Sequence, residues 1–576
     1  KTERYQTVGD LALDLKSLKQ ELEIEARLRR SSQSDANRNE TKKSGGLATD
    51  EIVHEPSAAR TVAVATAHPT SSAEYLVTGI KQHKRVASLA AAAVLLVAAV
   101  AAAYLFYSTR SGEAIESVAV MPFVNASGDL NTEYLSEGIS DSVINSLSRL
   151  PNLRVISLNS VLLYRGKQID PQAVGRELNV RAVLMGRITQ HGDGLAISTE
   201  LVDVRDNRVL WGEQYNRKLS DILVVQEEIA REISERLRLR LTGEEKKQLA
   251  KRYTESPEAY RLYSLGNYYL RQYTKEGYEK SIESFEQAIK IDPNYALAYT
   301  GLAHAYGYMG TRGFWQTKES DQKSEWATLK ALQLDDTLAE GHAFLGAHKF
   351  LNFDWAGAEK EIKRALELDP KSETANLIYH YYLANIGRPD ESLRYAIRCR
   401  ELDSTFELGH LAQAYFLAHQ YDKAIELYRN VLEKNPNNVQ VHILLGEAYV
   451  AKGMLAEGVA ETQKGVALDA SLAQTAERWD RYPMLAYAYA AAGQRNEALK
   501  ILHEQQELAK QRYVSPYNFA IIYTGLGDKD QAFAWLAKAV EERTRLIFRL
   551  KSRPMFDSLR SDPRYIELLR RMNLEP

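Results

Sequence analysis

A mainly α-helical chain, in which a right-handed superhelix of helix pairs follows a small α/β domain and one transmembrane helix, is the fold class the sequence predicts. From Ser256 onward a pattern recurs about every 34 residues, over 115–243 short β-branched runs alternate with helical segments, and at 86–107 stand 22 residues without a charge. The 576 residues, 26% charged and 45% hydrophobic, are an ordinary globular mixture with room for several cores. A formal net charge of -2 supplies no overall basic field of the kind that draws a protein onto nucleic acid, so no nucleic-acid partner is expected. The lone cysteine, Cys399, excludes an intramolecular disulfide and a cysteine-cluster zinc site.

Residues 1–30 place Leu11, Leu15, Leu18 and Leu22 on one face of an amphipathic juxtamembrane helix, with Asp10 near its start. Residues 31–85 lack periodicity and carry too little apolar surface to offset ordering entropy, which predicts a disordered linker. As a helix, Val86–Tyr107 would rise about 1.5 Å per residue to roughly 33 Å, enough for a hydrocarbon core of about 30 Å. Lys81, Lys84 and Arg85 crowd its N-terminal flank, whereas Arg110 alone follows it before Glu113. The positive-inside rule then predicts a single-pass protein of the inner (cytoplasmic) membrane, its N-terminus cytoplasmic and everything after Ser111 extracytoplasmic, attached through that one helix.

In the α/β segment, IESVAVMPF reads as a strand, Thr132–Leu150 as a helix, LRVISL as a strand and Pro171–Leu178 as a short helix. Three strands follow over 181–215, joined at His191-Gly192-Asp193-Gly194 and at Asp206-Asn207, and an amphipathic helix runs from about Asp221 to Leu241. SVAVMPFVNASGD (117–129), EYLSEGISDSVINSLSRL (133–150), VGRELNVRAVLMGRI (174–188) and VLWGEQYNRKLSDILVVQEEIA (209–230) together resemble the amino-terminal-like domain of the periplasmic TolB protein. That resemblance implies a fold and a location rather than an activity. The acidic residues Asp129, Glu133, Glu137 and Asp141 are accounted for by capping and the helix dipole, not by a metal or acid/base set.

Over 256–545 the recurring features are Leu265-Gly266, Leu345-Gly346 and Leu445-Gly446, the small residues Ala288, Ala358 and Ala365, and loop ends at Pro293, Asp336, Pro370, Ser404, Pro436 and Ala470. Two further units surround Leu485 to Ala498 and Phe519 to Ala532. Small residues at fixed points where two helices must touch resemble the tetratricopeptide repeat, in about eight copies, with an insertion around TRGFWQTKE lengthening one loop and a capping segment at 546–576. Such stacks leave a groove lined by each repeat's first helix, which takes an extended or helical segment of another protein. By repeat position, its candidate lining residues are Tyr260, Tyr263, Asn267, Leu270, Thr300 and His304.

The segment ERYQTVGDLALDL resembles the end of a bacterial serine/threonine protein kinase domain, and the chain opens on Lys1, so it reads as the C-terminal part of something longer. A Gly-rich phosphate loop, a strand lysine and the HRD and DFG motifs are all missing from these residues, so the chain itself is not expected to be an enzyme. No cofactor or metal is expected either: His304, His342, His410 and His442 fall in different repeats, and Cys399 takes a small-residue core position. Two functions stay open. One is a membrane-anchored interaction scaffold or sensor working through its repeat groove, and the other is the noncatalytic portion of a transmembrane serine/threonine kinase in signal transduction.

Overall fold

In the computed structural model of the protein, the residues described are 114–128, 132–237, 239, 241–312, 314–315, 317–403, 408–471, 482–544 and 546–574. The expected helix at 1–30, linker at 31–85 and membrane span at 86–107 all lie outside them.

Six strands form one mixed sheet: β1 (Ser117–Val120), β2 (Val124–Asn125), β3 (Arg154–Val155), β4 (Ala182–His191), β5 (Gly194–Asp203) and β6 (Arg208–Lys218), in the order β3-β1-β4-β5-β6 with β2 also on β4. β1 lies parallel to both β3 and β4, and β4, β5 and β6 pair antiparallel. The β4–β5 hairpin closes through Gly192-Asp193, where Gly192 takes a φ of 58° that a side chain would resist. Helix α1 (Glu133–Ser148) drops Leu135, Ile139, Val143 and Leu147, four residues apart, into the core at 1% exposure or less. Short helices α2 (Leu158–Leu162) and α3 (Pro171–Glu177) follow, and α4 (Ile222–Arg236) adds Ile222, Val225, Ile229 and Ile233 to the same core. Helix α5 (Gly243–Leu249), opened by a Thr242/Glu245 capping box, leads into the repeats.

Eight helix pairs come next: α6 (Pro257–Leu270) with α7 (Lys275–Ile291), α8 (Ala296–Thr311) with α9 (Thr317–Leu334), α10 (Ala339–Leu351) with α11 (Trp355–Leu368), and α12 (Glu373–Asn385) with α13 (Pro389–Leu402). The series continues with α14 (Leu408–Leu417) and α15 (Tyr421–Lys434), α16 (Val439–Lys452) and α17 (Leu455–Ser471), α18 (Tyr482–Ala491) and α19 (Arg495–Ala509), and α20 (Pro516–Leu526) and α21 (Lys529–Glu541). The glycines of the recurring Leu-Gly pairs mark where the two helices of a unit cross. A Cβ on Gly266 would come within 2.6 Å of the Phe285 ring, and one on Gly346 within 2.6 Å of Ile362. The insertion goes mostly into the helices rather than the loop, α8 and α9 having 16 and 18 residues against 13 and 14 in α10 and α11, and Trp315 packs 5.8 Å from the Tyr306 ring. After α21 the chain does more than cover the last pair. Its 3-10 turns at Ile547–Arg549 and Pro554–Leu559 and helix α22 (Pro563–Arg571) fold back on earlier repeats. Phe548 meets Phe350 at 4.9 Å, Trp355 Nε1 donates to the Met572 carbonyl at 2.6 Å, and Arg553 pairs with Glu447 at 2.8 Å.

One part of the expected fold class is corrected. Among the described residues no helix is long and apolar enough to cross a membrane. The longest, α9 with 18 residues, carries charges along its length, as in TKESDQKSEWATLKALQL. The transmembrane helix therefore does not stand as part of the fold, nor do the membrane attachment, the single-pass placement and the extracytoplasmic side that were read from it. What stands is a mainly helical repeat superhelix behind a small α/β domain.

Candidate interaction surface

Helix α1 has two faces. One is the apolar stripe in the sheet core, and the other, carrying Glu137, Gly138 and Asp141, is turned to α6, the first helix of the first repeat. Gly138 sits where the two helices cross, and a Cβ there would stand 2.7 Å from Ser264 Oγ. The Tyr260 hydroxyl donates to the Gly138 carbonyl at 2.8 Å and accepts from Gln226 Nε2 of α4 at 2.6 Å. Glu137, only 2% exposed, lies between Arg165 of its own domain and Arg271, which follows α6, at 3.1 Å. Arg271 also faces Asp141 at 3.8 Å, and Arg261 donates to the Tyr134 hydroxyl at 3.3 Å. A carboxylate with 2% exposure survives only because it is paired this fully.

Farther along, the α/β domain and the segment after α5 that joins it to the repeats meet the loop that enters each of the next repeats. The aspartates that stand one residue before the expected loop ends Pro293, Asp336, Pro370 and Ser404 all take part. Asp292 accepts from Thr254 at 2.5 Å, Asp335 from Lys251 at 2.6 Å, and Asp403 from Ser160 at 2.7 Å. Asp369 faces Arg149 and accepts the backbone N–H of Lys371 at 2.9 Å. Lys371 Nζ in turn donates to the carbonyls of Leu150, Pro151 and Leu153, at 3.1, 3.1 and 2.7 Å, just beyond the C-terminal end of α1 where the helix dipole is negative. The joining segment thus meets the first two of these loops, through Thr254 and Lys251, and the α/β domain the next two, through Arg149 and Ser160.

The six candidate groove residues divide into two sets. Tyr260, Leu270 and Thr300 are buried, Tyr260 against α1, Leu270 in the first-repeat core and Thr300 with its hydroxyl on the Ala296 carbonyl at 3.2 Å. Tyr263, Asn267 and His304 keep part of their surface. The Tyr263 ring leans on Phe285 and Tyr295 at 5.8 and 5.2 Å, with Asn267 hydrogen-bonded to its hydroxyl. His304 stacks on Tyr308 at 4.6 Å and against Phe344 at 5.2 Å, and burial pushes its imidazole down to about 4, so the ring is neutral at pH 7.

Other singled-out residues have structural partners. His342 and His442 hold equivalent posts, each bridging a glutamate of the second helix, Glu361 at 2.8 Å and Glu461 at 2.6 Å, to a loop carbonyl, Asp336 and Pro436, both at 2.9 Å. His410 contacts the Tyr381 hydroxyl at 2.5 Å. Burial pushes the Cys399 thiol up to about 12, away from nucleophilic use at neutral pH. Among the described residues no three His, Cys, Asp or Glu side chains are grouped to hold a metal ion. Of the acidic set, Asp129 lies outside the described residues and Glu133 occupies the first turn of α1. Glu137 and Asp141 meet arginines instead of serving the helix end. The alternation of a Leu/Ile/Val stripe with an acidic stripe along α1 was the sequence signal for two packed faces.

Comparison with known proteins agrees with this architecture. The family described as "HilA/YgeH-like transcriptional regulator, second domain" matches residues 114–232, and those described as "Tetratricopeptide repeat" and "TPR repeat" match 415–479 and 271–310. "Putative adenylate cyclase 3" of Rhizobium meliloti (strain 1021) is 35% identical over 187 residues, 32% of this chain and 32% of that protein. "Hsp70-Hsp90 organizing protein 1" of Glycine max is 31% identical over 109 residues, 19% of each. The matches thus span about a third and a fifth of these curated relatives. Similar solved structures include the Cut9-Hcn1 hetero-tetramer of APC/C (16% identity, TM-score 0.33, 40% of this chain and 43% of that one). They also include Pseudomonas aeruginosa PilF (16%, 0.29, 38% and 92%) and TolB from Acinetobacter baumannii (20%, 0.17, 22% and 29%). The chain carries tetratricopeptide repeats, a class of fold that presents surface to other proteins.

Proposed function

We propose that the chain is a protein-interaction scaffold that takes a protein or peptide segment on the face lined by the first helices of its repeats. The observation that carries this reading is the run of eight helix pairs in one register, because stacked units of this kind build one extended recognition face. Tyr263, Asn267 and His304 are the groove candidates with surface to give a partner, offering a ring, an amide and a neutral imidazole. A photo-crosslinking residue placed at Asn267, in cells that make the protein, is expected to capture a discrete partner. The same probe at Glu283, exposed on the second helix α7, should not. Equal capture from both positions would remove the groove from the proposal.

A second reading makes this chain the noncatalytic portion of a larger signalling enzyme, and the 187 residues shared with "Putative adenylate cyclase 3" favour it. A serine/threonine kinase parent, implied by the 1–30 resemblance, is one form of that reading. The coding sequence upstream of Lys1 tests it: HRD and DFG motifs there would support a kinase, cyclase motifs a cyclase, and a start codon directly before Lys1 would end both.

A further inference from the structure

Helix α1 reaches the first repeats as a partner helix would. It brings an acidic stripe, Glu137 and Asp141, to Arg271, and its end to Lys371. Between these points it brings a glycine to the crossing with α6, where no side chain fits. Its apolar stripe is committed to the sheet core, on which Tyr260, Leu265 and Tyr268 of α6 also pack, and the rest of the contact with the first repeat is made by charge, hydrogen bonds and close backbone approach. The contact is also imperfectly filled. A pocket of about 80 Å³ remains beside the crossing, edged by Gly138, Asp141, Tyr260 and Tyr263 together with residues of α4 and of the segment after α5, and among the described residues the buried Arg271 Nε nearby has no hydrogen-bond partner. Unpaired buried groups weaken such a contact relative to a finished core.

From this we propose that α1 and the loop after it are the resident ligand of the repeats that carry Arg271 and Lys371, and that the same surface takes from a partner an acidic helix with a small residue at its crossing point once the α/β domain lifts away. The proposal rests on the scaffold reading and adds to it the chemistry of the partner and the device that governs its access. Recognition is by the two cations, Arg271 for the acidic stripe and Lys371 for the carbonyl end. The Tyr260 hydroxyl donates to a backbone carbonyl that only a glycine-sized residue lets come close.

The test uses the full chain and a fluorescent, helix-stapled peptide of residues 132–153. Gly138→Leu wedges α1 from α6 while leaving the stripe of Leu135, Ile139, Val143 and Leu147 untouched. It is expected to raise hydrogen exchange over 257–270 and 369–373, to leave the sheet at 182–203 protected, and to tighten peptide binding by about tenfold over the unsubstituted protein, the scale of one close interfacial charge pair. Adding Arg271→Glu should abolish that gain. Should Gly138→Leu also expose 182–203, the α/β domain has unfolded, and Asp403→Ala, which removes the partner of Ser160 from the repeat side, loosens the docking without touching that domain or the two recognition cations. Exposed 257–270 with no gain in peptide binding would overturn the proposal even if Asn267 still crosslinks a partner. Crosslinking lost with peptide binding gained would overturn the wider groove reading alone.

Discussion

Among the described residues seven turns between the two helices of a repeat pass through positive φ, yet only Gly387, Gly453, Gly493 and Gly527 are glycines, the others being Tyr273, Phe353 and His419. A Cβ on Gly493 would meet nothing within 4 Å, so Gly493→Ala tests the backbone alone and is expected to cost about 1–2 kcal/mol. Tyr273, 53% exposed at φ 53°, is the reverse case. Relief of strain in Tyr273→Gly is opposed by a freer unfolded chain, and the unfolding free energy from urea titration should rise or hold within about 0.5 kcal/mol. An unchanged midpoint for Gly493→Ala would contradict the strain account. A second residue-scale case is Arg553, 8% exposed and paired with Glu447 at 4% exposure. Removing one partner strands a buried charge, so Arg553→Met should cost about 3–5 kcal/mol, and adding Glu447→Leu should recover most of it. A double variant no more stable than the single one would show that the pair is not what holds the C-terminal segment. None of this pairing was legible in the sequence, since 106 positions separate the two residues and the repeat pattern says nothing of a tail that folds back.

Elements were the scale at which the sequence spoke most clearly. Leucine-glycine pairs and the recurring alanines located the helix crossings because packing there tolerates no larger side chain, and that constraint repeats. The β-strands were legible from alternation and from glycine and asparagine turns. β3 proved only two residues long, and β2 was not anticipated, because a two-residue pairing leaves no periodicity to read. Ala365 illustrates what the register implies energetically. It is fully buried among Ala343 of the same repeat and Ala375 of the next, so Ala365→Trp must displace three helices, α10, α11 and α12. Overpacking of this kind costs about 1–3 kcal/mol, and in a stacked array it spreads to neighbours first. Hydrogen exchange should rise over 339–402. It should also rise at 149–153, since Lys371, in the loop that follows α11, holds the carbonyls of Leu150, Pro151 and Leu153, while the central strands β4 and β5 stay protected. Exchange unchanged around 365 would mean that the crossing has been misplaced.

At the scale of the whole molecule, the sequence named the parts but not their union. Repeat position alone assigned Tyr260 to a groove, whereas the residue closes a contact with a helix 122 positions earlier, and no local pattern encodes which of two amphipathic surfaces will find the other. That union places carboxylates close together. Asp141 of α1 faces Glu340 at the start of α10, with Arg271 and Asn145 beside Asp141 and Thr374 hydrogen-bonded to Glu340. Glu373 at the start of α12 faces Asp403, Asp369 and Glu340, with Ser157 of the α/β domain as its hydrogen-bond donor. Burial first, and then the neighbouring carboxylates, pushes Glu340 and Glu373 up to about 7 from an ordinary 4.5. The docked form therefore keeps protons that the released form gives up, and docking free energy falls as pH rises from about 4.5 to about 7 and levels off above that. Protection of 257–270, corrected for the intrinsic pH dependence of exchange, should accordingly be greater at pH 5 than at pH 8. Glu340→Gln with Glu373→Gln, which removes both titrations and keeps the side-chain volumes, should flatten the profile at its low-pH level. A profile equally steep in that double variant would place the pH response elsewhere and leave these two carboxylates as bystanders of the docked interface.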